Sequence, residues 1–142
     1  MLPHTITISN KLEELEQLPA FLECCCEGLL IPPSQVMSLN LALEEAMVNC
    51  VNYAYGPGND GKITLTAELF QPPKMLTFTL SDAGQPFDPT TVPDTDTTLT
   101  LEERPIGGLG ILLVRNIMDS VQYQYDGHYN ILTMSKNLPE TI

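Results

Sequence analysis

Two neighbouring segments of alternating apolar and polar residues limit the fold more than any other feature of the sequence. Residues 62–70 (KITLTAELF) and 75–81 (MLTFTLS) each place apolar side chains on one face, and hydroxyl-bearing or charged side chains on the other. A proline-containing turn, residues 71–74, separates them. Two adjacent strands with one polar face predict an antiparallel sheet that is covered on one side only.

The other segments predict helices for the covered side and strands that extend the sheet. Further strands are predicted at residues 4–9, 121–125 and 131–136. Helices are predicted at residues 11–27, with Pro19 as a kink or break, at residues 33–55 and at residues 111–119. This order predicts an α+β two-layer sandwich, in which about three helices cover one face of a mostly antiparallel sheet of about five strands. We expect one domain over residues 1–142.

The charge balance argues against several classes of function. The chain has 6 Lys and Arg residues against 18 Asp and Glu residues, a net charge of −12. Nucleic acids and anionic membranes both require a basic face, which so few cations cannot form. If the protein binds phosphates, it must use backbone N–H groups, a metal ion and very few cationic side chains. The N-terminus does not resemble a signal peptide and no apolar run is long enough to span a membrane, so we expect a cytoplasmic protein.

The cysteines do not predict a metal site. None of the four, Cys24, Cys25, Cys26 and Cys50, forms a C-x-x-C pair. Three consecutive cysteines on a helix point in three directions, so they cannot bind one metal ion together. They are predicted to be reduced, mostly buried residues.

A polar stripe interrupts the otherwise apolar helix at residues 39–55. Glu45, Asn49 and Asn52 project within roughly 60° of one another on an α-helix. The opposite side carries residues that can pack into a core: Leu43, Met47, Cys50 and Ala54. Burying an unpaired polar group costs about 1–3 kcal/mol, so the stripe requires solvent, a polar side chain or a ligand.

Two further motifs favour a ligand. Asp82 continues the inward alternation of the strand before it and is followed by Gly84, so it can accept a hydrogen bond from an exocyclic amine, although a simple turn acid has the same pattern. Residues 107–110 (GGLG) open a helix, where free N–H groups and the helix dipole favour an anion. No strand directly precedes these glycines, which argues against a Rossmann fold. Residues 88–105 are rich in Thr, Asp and Pro, and a loop of this length is usually functional or disordered.

Taken in order, these motifs resemble those of the GHKL ATPase superfamily. They read E-A-x-x-N-x-x-x-x-A-Y from Glu45, D-x-G-x-x-F from Asp82, and G-G-L-G-I from residue 107. Within the superfamily the chain is similar to the small stand-alone anti-sigma factor serine/threonine kinases, most closely over residues 101–121 (LEERPIGGLGILLVRNIMDSV). The resemblance implies a Bergerat (histidine kinase-like ATPase) fold that binds ATP with Mg²⁺, with residues 88–105 as the ATP lid.

The resemblance also implies roles for single residues. Glu45 corresponds to the general base, Asn49 to the Mg²⁺ ligand, and Asp82 to the acceptor of the adenine amino group. The other implied nucleotide contacts are Gly84 beneath the base, Arg104 at a phosphate, and the second glycine box with Gly108, Leu109 and Gly110.

The sequence departs from the family pattern at three places. Tyr53 replaces the usual His and is interpreted as a packing position near the base. Asn52 is an extra polar residue, for which a hydrogen bond to Asn49 is one option. In the last strand, Thr133 is either a water-mediated contact of the adenine or an ordinary strand residue.

Two functions are compatible with these features. The first is a kinase that phosphorylates Ser or Thr on an anti-anti-sigma (STAS-domain) partner and, in its other state, binds a sigma factor. The alternative is a nucleotide-binding partner-switch module that binds a regulatory protein without phosphorylating it. The ATPase half of a histidine kinase is disfavoured, since we find no room for a dimerising helix pair with a phosphoacceptor His. The resemblance also allows a homodimer.

Overall fold

Five antiparallel strands form the sheet in the computed structural model, which describes residues 3–55, 60–91 and 108–138. The strands are β1 (His4–Ser9), β2 (Lys62–Phe70), β3 (Met75–Asp82), β4 (Ser120–Tyr125) and β5 (Asn130–Asn137). Their order across the sheet is β1-β2-β3-β5-β4. The predicted antiparallel sheet of about five strands is therefore confirmed.

Three α-helices accompany the sheet among the described residues: α1 (Leu18–Cys26), α2 (Pro33–Asn49) and α3 (Gly108–Ile117). A 3-10 segment, Leu12–Gln17, precedes α1, and Pro19 lies in the first turn of α1, where proline is tolerated. The predicted break is therefore a change of helix type just before Pro19. A second 3-10 turn, Pro89–Thr91, follows β3.

Helix α2 does not continue as an α-helix to its predicted end. After Asn49 it becomes a π-helical segment, Cys50–Tyr55, with i→i+5 hydrogen bonds. Residues of this segment no longer follow the angular positions that an α-helix would give them. Its last residue, Tyr55, donates a hydrogen bond to the Lys62 carbonyl (2.6 Å) and accepts one from the Ala83 N–H (2.9 Å). The tyrosine therefore joins the end of the segment to the ends of β2 and β3.

The core lies between the helices and one face of the sheet. Pairing of β2, β3 and β5 aligns buried residues such as Leu65 with Leu80, and Phe78 with Met134. The helices contribute buried residues to the same cluster, among them Leu22, Leu39, Leu43 and Met47. The opposite face of the sheet carries hydroxyl side chains, including the hydrogen-bonded pairs Thr5 with Thr66 and Thr7 with Thr64, each at 3.2 Å. One face is thus covered, as the alternation predicts.

The described cysteines are free thiols, and among the described residues no cluster of His, Cys, Asp and Glu could hold a metal ion. Burial raises the pKa of the Cys25 thiol to about 12, so it stays protonated and unreactive. Cys24, in contrast, is exposed.

In the parts of the chain that the structure describes, no helix combines the length and the apolar character needed to cross a bilayer.

Candidate functional site

Asp82 lies at the inner end of β3 and is only 3% exposed. Its Oδ1 accepts hydrogen bonds from the Gly84 N–H (2.9 Å) and from Asn130 Nδ2 (2.9 Å). The predicted inward orientation of Asp82 is therefore confirmed. A buried carboxylate held by fixed donors is a rigid acceptor for a ligand that reaches this end of the sheet.

Gly84 allows the turn after Asp82 to pack directly on the π-helical segment. A Cβ added to Gly84 would lie 2.4 Å from the carbonyl oxygen of Ala54. The next residue, Gln85, donates its N–H to that same oxygen at 2.8 Å. Only glycine permits this approach of two backbones, so Gly84 fixes the height of the turn relative to α2.

Glu45 and Asn49 lie one turn apart at the end of α2. Asn49 is 4% exposed and lines a small cavity that it shares with Asp82, whereas Glu45 is half-buried. A Cβ added to Gly110 would lie 2.8 Å from Glu45 Oε2. The acid of α2 therefore lies against the glycine-rich start of α3, as the order of the motifs predicts.

Asn52 does not join this group. It is exposed, in the π-helical segment that follows Asn49, and it does not line the cavity beside Asp82. Of the three residues in the predicted polar stripe, Asn52 therefore faces solvent, which is one of the partners that the stripe was expected to need.

The cavity beside Asp82 is small. Its volume is about 20 Å³, close to the space that one water molecule needs. Phe87, Pro89 and Tyr123 form part of its wall. Tyr53 stacks on Phe87 with ring centroids 4.9 Å apart and an angle of 22° between the planes. Tyr53 thus packs behind the cavity wall, and a purine can enter only if side chains of this wall move.

Asn130 is a site residue that the sequence reasoning missed. It pairs with Asp82 in the register of β3 and β5 and is 5% exposed. Thr133 lies on the other face of the sheet, paired with Thr79, so the suggestion that it reaches a bound base is wrong. The sequence did contain a signal for Asn130. In a strand alternate side chains share a face, so Asn130 lies on the same inward face as Leu132, two residues later.

Cys50 also faces Asp82. Burial raises the pKa of the Cys50 thiol well above its ordinary value, and the charge of the Asp82 carboxylate and a hydrogen bond to it raise it further. The thiol therefore stays protonated and acts as a weak donor to Asp82.

Helix α3 begins at Gly108, three residues before its predicted start, so Gly108, Leu109 and Gly110 form its first turn. The first N–H groups of a helix lack intrahelical partners and carry partial positive charge. This turn can accept an anion, and Gly110 within it lies against Glu45. Arg104, Gly107 and residues 92–105 of the predicted lid lie outside the described residues.

Comparison with known proteins agrees with this geometry. The family model for the histidine kinase-like ATPase domain matches residues 8–136. The chain belongs to this family. Its fold class and the resemblance found in the sequence are thereby confirmed.

Named relatives of this ATPase domain are protein kinases. The serine/threonine-protein kinase BtrW of Bordetella bronchiseptica is 32% identical over 105 residues, which cover 73% of this chain and 72% of that protein. The serine-protein kinase RsbW of Listeria monocytogenes is 31% identical over 109 residues, which cover 74% of this chain and 68% of that protein.

A solved structure has the same fold. The crystal structure of the RsbU and RsbW domains of a Mycobacterium tuberculosis protein superposes with a TM-score of 0.68 at 15% identity. The alignment covers 97% of this chain and 33% of that one.

Proposed function

We propose that this ATPase domain binds Mg-ATP and transfers the γ-phosphoryl group to a Ser or Thr hydroxyl of an anti-anti-sigma (STAS-domain) protein. The observation that carries the proposal is the close approach of Glu45 to Gly110, next to the buried Asn49. Glu45 and Asn49 lie one turn apart on α2, and the approach of Glu45 to the first turn of α3 supports a site built from a carboxylate, an amide oxygen and a helix N-terminus. The relatives named as kinases support the same reaction.

The polar groups at the site fit adenine and Mg²⁺, the two expected ligands. Asp82 is a buried acceptor of the kind that an adenine amino group requires. Asn49 offers an amide oxygen, a hard ligand suited to Mg²⁺, which usually keeps waters and phosphate oxygens as its other ligands. When bound, Mg²⁺ neutralises charge on the phosphates during transfer.

The residues of the chain then position the reaction. Glu45 orients the attacking hydroxyl and accepts its proton. The first turn of α3 holds phosphate oxygens through backbone N–H groups, which suits a chain with only 6 Lys and Arg residues. Arg104 is our proposed cationic phosphate contact, and residues 88–105 are the proposed lid of a single domain over residues 1–142.

The direct test uses labelled ATP and a purified candidate STAS-domain protein. Transfer of label to that protein is the expected result. Nucleotide binding without labelling would instead favour the partner-switch module. The proposal also includes a cytoplasmic location and binding of a sigma factor when the protein is not phosphorylating its partner. It further includes a homodimer, and sedimentation of the purified chain measures this oligomeric state.

Removing the magnesium ligand should remove the magnesium dependence of stability. Mg-ATP at 100 times its dissociation constant stabilises the folded state by about 2.7 kcal/mol, which raises Tm by about 5–10 °C. In Asn49→Ala, melting with ATP should be the same in Mg²⁺ and in EDTA. Asn52→Ala is the matched control, because Asn52 is exposed, and it should melt like the wild type. An Asn49 variant that keeps the full magnesium response contradicts the assignment.

Adding one methyl group at Gly110 should lower the rate of phosphoryl transfer without lowering the stability of the fold. In Gly110→Ala the new Cβ lies 2.8 Å from Glu45 Oε2, so the flexible carboxylate must move. Helix propensity favours Ala by about 0.5–1 kcal/mol, whereas displacing a catalytic group by about 1 Å can cost about 100-fold in rate. We expect an unchanged or higher Tm and a transfer rate at least about tenfold lower. A lower Tm with unimpaired transfer would contradict this.

A further inference from the structure

We propose that Asn130 is a positioning residue that orients Asp82 and so makes the site select a base with an exocyclic amine. The inference rests on the proposed ATP binding and adds the residue that sets base selectivity. Its basis is the hydrogen-bond network around the Asn130 amide, at the paired ends of β3 and β5.

Every donor and acceptor of the Asn130 side chain is used. Its Nδ2 donates to Asp82 Oδ1 at 2.9 Å and to the Gln85 carbonyl at 2.8 Å. Its Oδ1 accepts from the Phe87 N–H at 3.0 Å and from the Tyr123 hydroxyl. Burial raises the pKa of Tyr123, so this hydroxyl stays a donor. Two donors and two acceptors satisfy the amide completely and fix which way round it lies.

This network determines which part of Asp82 remains available. Oδ1 already accepts from Gly84 and from Asn130, and an oxygen of a carboxylate has about two acceptor positions. The other oxygen has acceptor positions left for a ligand. Asn130 keeps no N–H free, and the Cys50 thiol already donates to Asp82. At Asp82 the wall thus offers a ligand an acceptor, because the neighbouring Asn130 amide has no N–H left to donate.

Such a wall distinguishes an amine from a carbonyl. The amino group of ATP donates to the open oxygen of Asp82, whereas the carbonyl of inosine triphosphate at the same ring position faces a carboxylate without a proton between them. The terminal torsion of an Asp side chain has a broad energy minimum, so Asp82 needs a second residue to hold its plane. Asn130 and the Gly84 N–H supply that restraint.

The test compares the affinities of ATP and inosine triphosphate by calorimetry. Asn130→Leu keeps the approximate size of the side chain and removes all four bonds. We expect the ratio of ATP to inosine triphosphate affinity to fall at least about tenfold in this variant. The affinity for inosine triphosphate should change less than about threefold, since the phosphates bind elsewhere. Asn137→Leu makes the same chemical change at an exposed position of β5 and should leave the ratio unaltered.

Asn130→Thr keeps the test decisive if Asn130→Leu does not fold. A hydroxyl can donate to Asp82 but cannot also bridge to Gln85, so we expect an intermediate ratio. A ratio equal to that of the wild type in the folded variants overturns this inference and leaves ATP binding intact. A parallel loss of both nucleotides also overturns it, because that is the result of a purely structural role. A wild-type chain that binds neither nucleotide overturns the proposed function as well.

Discussion

Replacing Glu45 by Gln is expected to slow phosphoryl transfer by about 100- to 10,000-fold, the usual contribution of a general base. The glutamine has the same shape and can still pack against Gly110, so the contact between α2 and α3 is preserved. It cannot accept a proton from the attacking hydroxyl. Single-turnover transfer from labelled ATP to the STAS protein measures the effect on the chemical step.

ATP affinity should change little in the same variant, because Glu45 is assigned no contact with the base or the metal. Glu44→Gln is the matched control: it is the preceding residue, it is exposed, and it should transfer at the wild-type rate. A Glu45→Gln protein with undiminished transfer would leave the reaction without its base and would favour a base supplied by the partner. A protein that loses ATP binding instead would place Glu45 in the nucleotide site.

The local part of this fold could be predicted from the sequence because it follows from side-chain periodicity. Alternation in residues 62–70 and 75–81 identifies β2, β3 and their buried face, and it correctly places Asp82 on that face. The order of elements then predicts the two layers. Glycines before an amphipathic segment indicated the start of α3, although the helix begins at Gly108 rather than at Ile111.

The features that could not be predicted depend on three-dimensional geometry, which side-chain periodicity does not determine. The change from α to π hydrogen bonding after Asn49 has no simple sequence signal, and the exposed Asn52 lies in this segment. Asn130 reaches Asp82 through the pairing of β3 with β5, two strands 48 residues apart at that position. Thr133, the residue of the last strand suggested for the adenine contact, pairs with Thr79 instead. Register between distant strands decides such contacts.

Replacing Asp82 by Asn is expected to lower ATP affinity by about 100-fold and to invert the preference for the base. Gly84 and Asn130 both donate to Oδ1, so the carbonyl oxygen of the new amide should take that position. Its NH₂ group then replaces the open oxygen and meets the ATP amino group donor to donor. The same NH₂ group can donate to the carbonyl of inosine triphosphate, which should therefore bind better than ATP.

Calorimetry with the two nucleotides measures this inversion, and Asp60→Asn, an exposed acid lost elsewhere, should leave both affinities unchanged. Because the variant keeps the size of Asp82 and an acceptor for Gly84 and Asn130, its Tm without nucleotide should stay close to that of the wild type. An equal loss of affinity for both nucleotides would mean that Asp82 stabilises the cavity but does not contact the part of the base that differs between them. Inversion, in contrast, requires that this carboxylate faces the ring position at which adenine and hypoxanthine differ, which is the contact on which the proposed ATP site depends.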